Sequence, residues 1–248
     1  MGKTIQASKA PQSRVDAGDA VQNAARRAAT GAVKQDLAEF AKVHAEYKAA
    51  EADVRKAEAA KRAQEVIVGD KDVVQDAGVD ELARQLIADG LPKGNPFKAL
   101  DSKDPFPAPS SLRGIGYADE AKLVRKLAAA VKKKKGLSKR TLDAAAAADK
   151  AALEVQAALA PMVKLAQAFT TAIQEREALA QSWETAFATL KAAVRYVDTK
   201  NKTRLFAALF QSGPAASAGK KAKAAQKAKG PAKGADKAAG SEPPGSAK

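Results

Sequence analysis

Lysine and arginine side chains gathered in two short segments are the groups in this sequence best suited to bind a ligand. Their cationic heads bind phosphates of any nucleotide sequence by displacing condensed counterions. We therefore treat them as candidate nucleic-acid-binding residues. The candidates are Lys132, Lys133, Lys134, Lys135, Lys139 and Arg140 in the first segment, and Lys220, Lys221, Lys223, Lys227, Lys229, Lys233 and Lys237 in the second.

The positive charge of the chain is concentrated in these segments. The net charge at pH 7 is +15, of which residues 117–141 carry +7 and residues 212–248 carry +6. Localised positive charge raises the concentration of anionic partners near a protein. Lysine-rich ends also keep an alanine-rich helical protein in solution, so composition alone does not separate binding from solubility.

The C-terminal lysines alternate with alanine, glycine and proline, as in the stretch Ala-Gln-Lys-Ala-Lys-Gly-Pro-Ala-Lys-Gly-Ala. Over about residues 215–240 this composition resembles the tails of linker histones and of bacterial histone-like proteins. The resemblance implies binding to phosphates without sequence preference. No aromatic residue is interleaved with the lysines, so the tail offers no surface for stacking bases.

His44 is the only histidine, and the chain has no cysteine. A histidine ligand or base needs partners at set spacings, and the sequence has none around His44. It lies between Phe40 and Tyr47 in an apolar helical pattern. We expect it to act as a polar group that fixes the register of two helices.

Four acidic residues are spaced like ligands of a calcium-binding loop: Asp70, Asp72, Asp76 and Glu81. The residue that must make the sharp turn of such a loop is Gln75 rather than glycine. We expect these acids to cap helices instead, and we predict no metal or cofactor.

Two carboxylate pairs in predicted helices could in principle carry acid–base chemistry: Glu175 with Glu177, and Asp143 with Asp149. Residues two or six positions apart on a helix point in different directions, so neither pair converges. Since the sequence also lacks a nucleophile placed beside a base, we predict that the protein is not an enzyme.

The elements that must position these residues are long helices. Fourteen positions advance in alternating steps of three and four residues, which is the pattern of a long helix packed along a partner helix. They are Val155, Leu159, Met162, Ala166, Phe169, Ile173, Arg176, Ala180, Trp183, Phe187, Leu190, Val194, Val197 and Asn201. Only Arg176 and Asn201 are polar, and we expect them to fix register as His44 does.

The same spacing in the N-terminal half predicts a long helix over about 16–68, with an apolar stripe that narrows to Ala57, Ala60, Ala63 and Ile67. A short helix over about 77–89 follows. We expect the 33–68 region to pack against part of 155–201.

Proline and glycine are frequent in residues 91–116, which we predict to be a linker without regular structure. Asn95-Pro-Phe97 and Asp104-Pro-Phe106 resemble tripeptides bound by endocytic adaptor domains. We favour instead the interpretation that Phe97 and Phe106 pin the linker onto the helices. Beyond it we predict helices at about 118–135, 138–200 and 203–211, and Pro161 should kink the longest one.

The predicted fold class is therefore all-α: an elongated antiparallel helical bundle, or coiled-coil hairpin, with disordered basic ends. The predicted organisation is a disordered segment 1–14, a helical region 15–90, the linker 91–116, a helical region 117–211 and a disordered tail 212–248. The ends contain too few large apolar residues to offset the entropy of ordering them.

The leading functional hypothesis is a structural or scaffolding protein that binds nucleic acid through its basic segments. The alternative is a helical interaction module or surface coat that binds a protein, lipid or polymer surface, with the tail only aiding solubility. In joining an alanine-rich helical region to a histone-like tail, the chain resembles some granule-coat proteins, the phasins. The candidate surface is the aromatic-rich strip Phe169–Phe210. A homodimer fits either hypothesis.

The sequence has neither an apolar secretory signal at its N-terminus nor an apolar run of the ~18 residues that a membrane span requires. We therefore expect a cytoplasmic protein without a transmembrane segment, associated with the nucleoid if it binds DNA.

Overall fold

The structure is a computed structural model that describes residue 5, residues 8–100 and residues 105–211. These residues form an all-α protein, as predicted, and contain no β-strand. The helices are α1 (Pro11–Ala25), α2 (Lys34–Ala88), α3 (Pro109–Leu112), α4 (Tyr117–Lys133), α5 (Lys139–Leu159), α6 (Met162–Asn201) and α7 (Leu205–Phe210).

The chain divides into two compact units. One unit combines the described residues up to Lys34 with those from Lys191 onward, and the other is Gln35–Leu190. The larger unit contains the basic segment around residues 132–140.

In the larger unit, α2 runs antiparallel to α5 and α6. Phe40 packs on Phe187 with ring centroids 5.6 Å apart. Further along α2, the Gln64 side chain donates a hydrogen bond to the Ala158 carbonyl over 2.7 Å. Residue numbers therefore fall along α5 and α6 as they rise along α2, which confirms the predicted pairing of 33–68 with part of 155–201.

Helix α2 is a single helix of 55 residues, whereas the sequence predicted separate helices at about 16–68 and 77–89. Gly69 lies inside it and costs only about 1 kcal/mol relative to alanine. One alternation of four- and three-residue steps continues through it, and we call these positions the inner seam. They are Phe40, His44, Tyr47, Glu51, Val54, Glu58, Lys61, Glu65, Val68, Asp72, Gln75, Val79, Leu82 and Leu86.

The predicted alanine stripe of α2 is wrong. Ala60, Ala63 and Ile67 are exposed, and Ala57 is half-buried. The inner seam at this level consists mainly of polar residues. Lys61, for example, lies with its ammonium 6.0 Å from the centre of the Phe169 ring on α6.

The N-terminal boundary also differs from the prediction. Pro11 occupies the first turn of α1, where its missing N–H costs nothing, so residues 11–14 of the segment predicted to be disordered are helical. Arg14 in that turn is only 5% exposed. A break at residues 26–30 and a 3₁₀ turn at Gly31–Val33 then separate α1 from α2.

Pro161 divides the predicted helix 138–200 into α5 and α6. Its ring removes a helical hydrogen bond and clashes with the preceding turn. Ala160 keeps right-handed helical angles, and Leu165 donates to the Pro161 carbonyl over 3.0 Å. The interruption is therefore confined to residues 160 and 161, and both helices follow α2.

The described residues of this region, 91–100 and 105–116, include a 3₁₀ turn and the short helix α3, whereas the sequence predicted a linker without regular structure. Pro96–Ala99 forms a 3₁₀ turn whose Phe97 ring is completely buried, and Asn95 caps this turn through its side chain. Leu112 at the end of α3 is 1% exposed. The favoured interpretation, that Phe97 and Phe106 pin this segment, agrees with the burial of Phe97 and with the packing of half-buried Phe106 against the core.

The main core of the larger unit lies between the second half of α2, α4 and α5. It is built from small and medium side chains, such as Val79, Leu127 and Ala148, all completely buried. At Gly78 the two backbones come close, because a Cβ there would lie 3.3 Å from the Ala148 Cα. The alanines of α5 and Gly78 therefore permit tight helix packing, and this core holds the ends of α4 and α5 in place.

In the smaller unit, α1 packs against α7. Val21, Leu209 and Phe210 are completely buried there. Asp198 accepts hydrogen bonds from the backbone N–H groups of Leu205 and Phe206, each over 2.7 Å, and thereby caps α7.

Candidate nucleic-acid interface

The first basic segment lies at the turn between α4 and α5. Helix α4 ends at Lys133, and Gly136 then adopts φ of +84°, a conformation that glycine tolerates best. Ser138 caps α5 by accepting a hydrogen bond from the Thr141 N–H. We call residues 132–140 the basic turn. The lysines at the end of α4 interact favourably with the partial negative charge at the C-terminus of this helix.

Asp89, just after α2, fastens the basic turn to the rest of the unit. Its carboxylate accepts hydrogen bonds from the Ser138 N–H over 2.8 Å and from the Thr141 hydroxyl over 2.7 Å. These hydrogen bonds, of which the one from Thr141 has the largest effect, lower the pKa of Asp89. Because a carboxylate already lies at the N-terminus of α5, a bound phosphate would depend on side chains rather than on the helix end.

Three of the six predicted residues in the basic turn have partners within the protein. Lys132 lies 3.3 Å from Asp149, and Lys139 lies 2.7 Å from Asp143. Lys134 donates to the carbonyl of Ala99 over 2.9 Å. Exposed pairs of this type contribute less than about 1 kcal/mol, so Lys132 and Lys139 remain able to exchange partners.

The other three residues are exposed: Lys133, Lys135 and Arg140. None of them makes an ion pair or a hydrogen bond with the described part of the chain. Lys133 and Lys135 lie before Gly136, and Arg140 lies after it. The turn thus presents three exposed cations, with Lys132 and Lys139 in exposed ion pairs beside them.

A cleft of about 520 Å³ lies beside the basic turn. Phe106 and Leu123 contribute apolar walls, and Lys126, Lys133 and Lys134 contribute the cationic part of the lining. The candidate list from the sequence omitted Lys126. Its spacing of seven residues from Lys133 on a helix, which places both on one face, was the available signal.

The second basic segment, Lys220 to Lys237, lies outside the described residues. So do the other residues of 212–248. The geometry of the site therefore concerns the basic turn alone.

The other polar residues that the sequence analysis considered as ligands are part of helix α2. Asp70 and Glu81 lie inside the uninterrupted helix α2, so the residues with calcium-loop spacing form no loop. Among the described residues, no three His, Cys, Asp or Glu side chains are grouped to hold a metal ion. His44 is 1% exposed and accepts a hydrogen bond from the Trp183 indole.

A buried acidic group that the sequence did not reveal lies between α2 and α4. Glu120 is 1% exposed, and burial, then the nearby Asp76 and Asp72, raises its pKa to about 7. Arg113 lies 3.5 Å from Asp76 at the edge of this group. Gln75 beside it is completely buried, and its side-chain atoms have no hydrogen-bond partner in the described residues.

Most of the aromatic-rich strip that suggested a surface-binding module is used in packing. Trp183 is completely buried, and Phe187 is 6% exposed. Leu209 and Phe210 are completely buried in the smaller unit. In the part of the chain that the structure describes, no helix is long and apolar enough to cross a membrane.

Comparison of the chain with protein-family models, with curated proteins and with solved structures gives no match.

Proposed function

We propose that this protein is a non-enzymatic helical scaffold that binds nucleic acid without sequence preference, through the basic turn and the C-terminal lysines. Helices α2, α4 and α5 supply a rigid support, and the cations supply contacts with phosphates. Such a protein would hold to the nucleic-acid backbone while its helices remain available for other contacts.

The observation that carries this proposal is the exposure of Lys133, Lys135 and Arg140 on a turn held at both ends. The α4–α5 core fixes one side, and Asp89 fixes the other through Ser138. Cations on a fixed support lose little conformational freedom on binding, which favours affinity. Of the cations in the basic turn, the nearby Asp143 and Asp149 pair only with Lys139 and Lys132, and Asp149 also pairs with Arg125.

The test measures binding of the full chain to two duplexes of about 30 base pairs with unrelated sequences, over a range of salt concentrations. We expect equal affinity for both duplexes and a steep, linear fall of log K with log salt concentration. A chain ending at Gln211 should show a flatter dependence, because it lacks the C-terminal lysines. Affinity that does not change with salt would overturn the proposal.

A charge-matched comparison isolates the basic turn. The variant Lys133→Gln/Lys135→Gln/Arg140→Gln removes three charges there. The control variant removes three exposed charges elsewhere in the same unit, Lys42→Gln/Lys56→Gln/Lys164→Gln. We expect the first variant to reduce the salt slope by about 2 to 3, as for three phosphate contacts, and the control to change it little. Equal changes in both variants would show that net charge rather than the turn governs binding.

The second candidate function is a helical interaction module or phasin-like surface coat. Its support is now the outer side of α2, where Val66 and Val73 are exposed. Co-sedimentation of the protein with vesicles of a zwitterionic phospholipid, unchanged by removal of residues 212–248, would favour this function. Protein that stays in the supernatant would count against it.

A further inference from the structure

Among the described helices, α2 carries the largest set of exposed aliphatic side chains, and they lie on its outer side. Val66 is 63% exposed, Ile67 45%, Val73 67% and Val74 54%. A helix that packs against neighbours on one side only normally carries polar residues on its opposite, solvent-facing side. Exposed apolar residues gathered in this way mark a surface that another molecule covers.

These residues form a second helical stripe opposite the inner seam. Its members advance by alternating four- and three-residue steps, which is the spacing that packs along another helix. We call it the outer face: Ala59, Ala60, Ala63, Val66, Ile67, Asp70, Val73, Val74 and Ala77, all of them exposed. A helix with seams on two sides is suited to the interior of an array of at least three helices.

The outer face differs in side-chain size between its two halves. Its N-terminal half presents Ala59, Ala60 and Ala63, and its C-terminal half presents Val73 and Val74. A helix running in the opposite direction with the same residues would place valines against alanines. Well-packed interfaces combine large and small side chains in this way.

The charges bordering the outer face follow the same polarity. Arg55 and Arg62 lie on its N-terminal side, with 57% and 72% of their side chains exposed. Asp70 lies within the C-terminal half, and Glu81, which pairs with Arg84, lies beyond it. An antiparallel copy would therefore bring basic residues of one chain close to acidic residues of the other, which favours that orientation.

We propose that the outer face of α2 binds a second copy of this chain, antiparallel, about a two-fold axis between Val66 and Ile67. Val66 of each chain then meets Ile67 of the other. Asp70 of each chain lies opposite Ala63 of the other chain and next to the other chain's Arg62. A lipid or polymer surface fits less well, because inserting the face into an apolar phase would also desolvate Asp70. The two copies of α2 would then lie side by side in the middle of a layer of helices, with α5 and α6 of each chain on the other side of its α2.

The oligomeric state of the full chain tests the proposal without any nucleic acid, and so independently of the proposed function. Sedimentation equilibrium over a concentration series should show a monomer–dimer equilibrium. Ile67→Glu should weaken dimerisation at least about 100-fold, because it places two carboxylates next to each other at the axis. The matched control is Val163→Glu on α6, where Val163 is also exposed and should leave the dimer intact. A monomeric wild-type chain would overturn the proposal, including one that binds lipid vesicles through this face.

Because the chain has no cysteine, single introduced thiols can report the orientation. With a short bismaleimide, Val66→Cys should give a covalent dimer, and so should the double variant Ala60→Cys/Val73→Cys. Val73→Cys alone should not, since the two copies of residue 73 would lie far apart on either side of the axis. Efficient crosslinking of Val73→Cys alone would indicate parallel helices and would contradict the proposed arrangement.

Discussion

Trp183 donates its indole N–H to Nδ1 of His44 over 3.1 Å, and both side chains are buried between α2 and α6. The His44 ring also stacks on Phe40 with centroids 5.7 Å apart. The bond joins the inner seam of α2 to the seam of α6, and only one register of the two helices permits it. This geometry supports the role in register that the sequence predicted for His44.

We expect His44→Phe to lower the free energy of unfolding by about 1–3 kcal/mol, because it leaves the buried indole N–H of Trp183 without this acceptor. Trp183→Phe removes the donor and some packing. If the hydrogen bond couples the two residues, the double variant should be less destabilised than the sum of the single variants. Urea unfolding followed by circular dichroism measures all three. Strict additivity would contradict the coupling.

A second polar pair crosses the same two helices. Arg176 donates to Glu51 over 3.0 Å, and their side chains are 13% and 11% exposed. Removing one partner leaves the other charge in a largely buried position, so Arg176→Met should cost about 2–4 kcal/mol. The double variant Arg176→Met/Glu51→Met should recover most of that loss, because it leaves no charge in a largely buried position. Arg55 and Glu177, which also pair with Glu51 and Arg176, are exposed.

The control for this experiment is Glu58→Gln, which removes the exposed ion pair with Arg62 and should cost less than about 1 kcal/mol. Chemical denaturation at a single pH gives all the values. An Arg176→Met variant as stable as the Glu58→Gln variant would show that the buried pair contributes nothing beyond a surface pair.

The pKa of Glu120, raised by burial and then by Asp76 and Asp72 from an ordinary value of 4.5 to about 7, makes stability depend on pH. The folded state binds the proton more tightly than the unfolded state. The contribution of Glu120 to stability is therefore largest below pH 4.5 and falls as the pH rises to about 7.

Glu120→Gln keeps the shape of this side chain without the charge. We expect it to raise the free energy of unfolding at pH 8 relative to wild type and to change it much less at pH 5. The matched control is Asp119→Asn, which alters an exposed neighbour on α4 and should have similar small effects at both pH values. Parallel pH profiles of wild type and Glu120→Gln would contradict the assignment.

Asp198 caps α7 in the smaller unit. Burial tends to raise its pKa, but hydrogen bonds from Thr203 and from the backbone of Phe206 and Leu205 outweigh this effect, and the pKa is lowered. The cap therefore contributes fully above the ordinary pKa of 3.8 and is lost as the pH falls through the lower folded value. Asp198→Ala at pH 7 should cost about 1 kcal/mol.

Amide hydrogen exchange locates this effect. In Asp198→Ala, the amides of residues 205–210 should exchange faster, while those of Val124 and Leu127 in the larger unit should be unchanged. Unaltered exchange at 205–210 would show that α7 is held by packing with α1 rather than by the cap.

The apolar seam of α6 could be predicted from the sequence because large side chains mark it. From Trp183 to Val194, its apolar positions are buried. The middle of the inner seam of α2 could not be found in the same way. Glu58, Lys61 and Asp72 occupy seam positions there, and polar residues carry no apolar signal. Ile67 is apolar but exposed, because it lies outside the unbroken spacing of the inner seam.

The position of the basic turn could be predicted from the sequence, but the partners of its side chains could not. Four consecutive lysines before a glycine indicate a helix end, and the structure has one there. The pairing of Lys132 with Asp149, or of Lys134 with the Ala99 carbonyl, depends on the packing of α4 against distant segments. Asp89 could not be linked to Ser138 either, since 49 residues separate them.

The uniform spacing shared by α2 and its two antiparallel neighbours limits how the chain length can change in evolution. One residue inserted near Glu58 would rotate everything beyond it by about 100° around the helix axis and turn Val79 and Leu82 away from their partners. Seven residues inserted in α2, together with seven inserted at the facing level of α5 or α6, would preserve every facing pair in this helical hairpin. Descendants of this gene should therefore differ in hairpin length by matched pairs of heptads, and single-codon insertions should survive only in the turns.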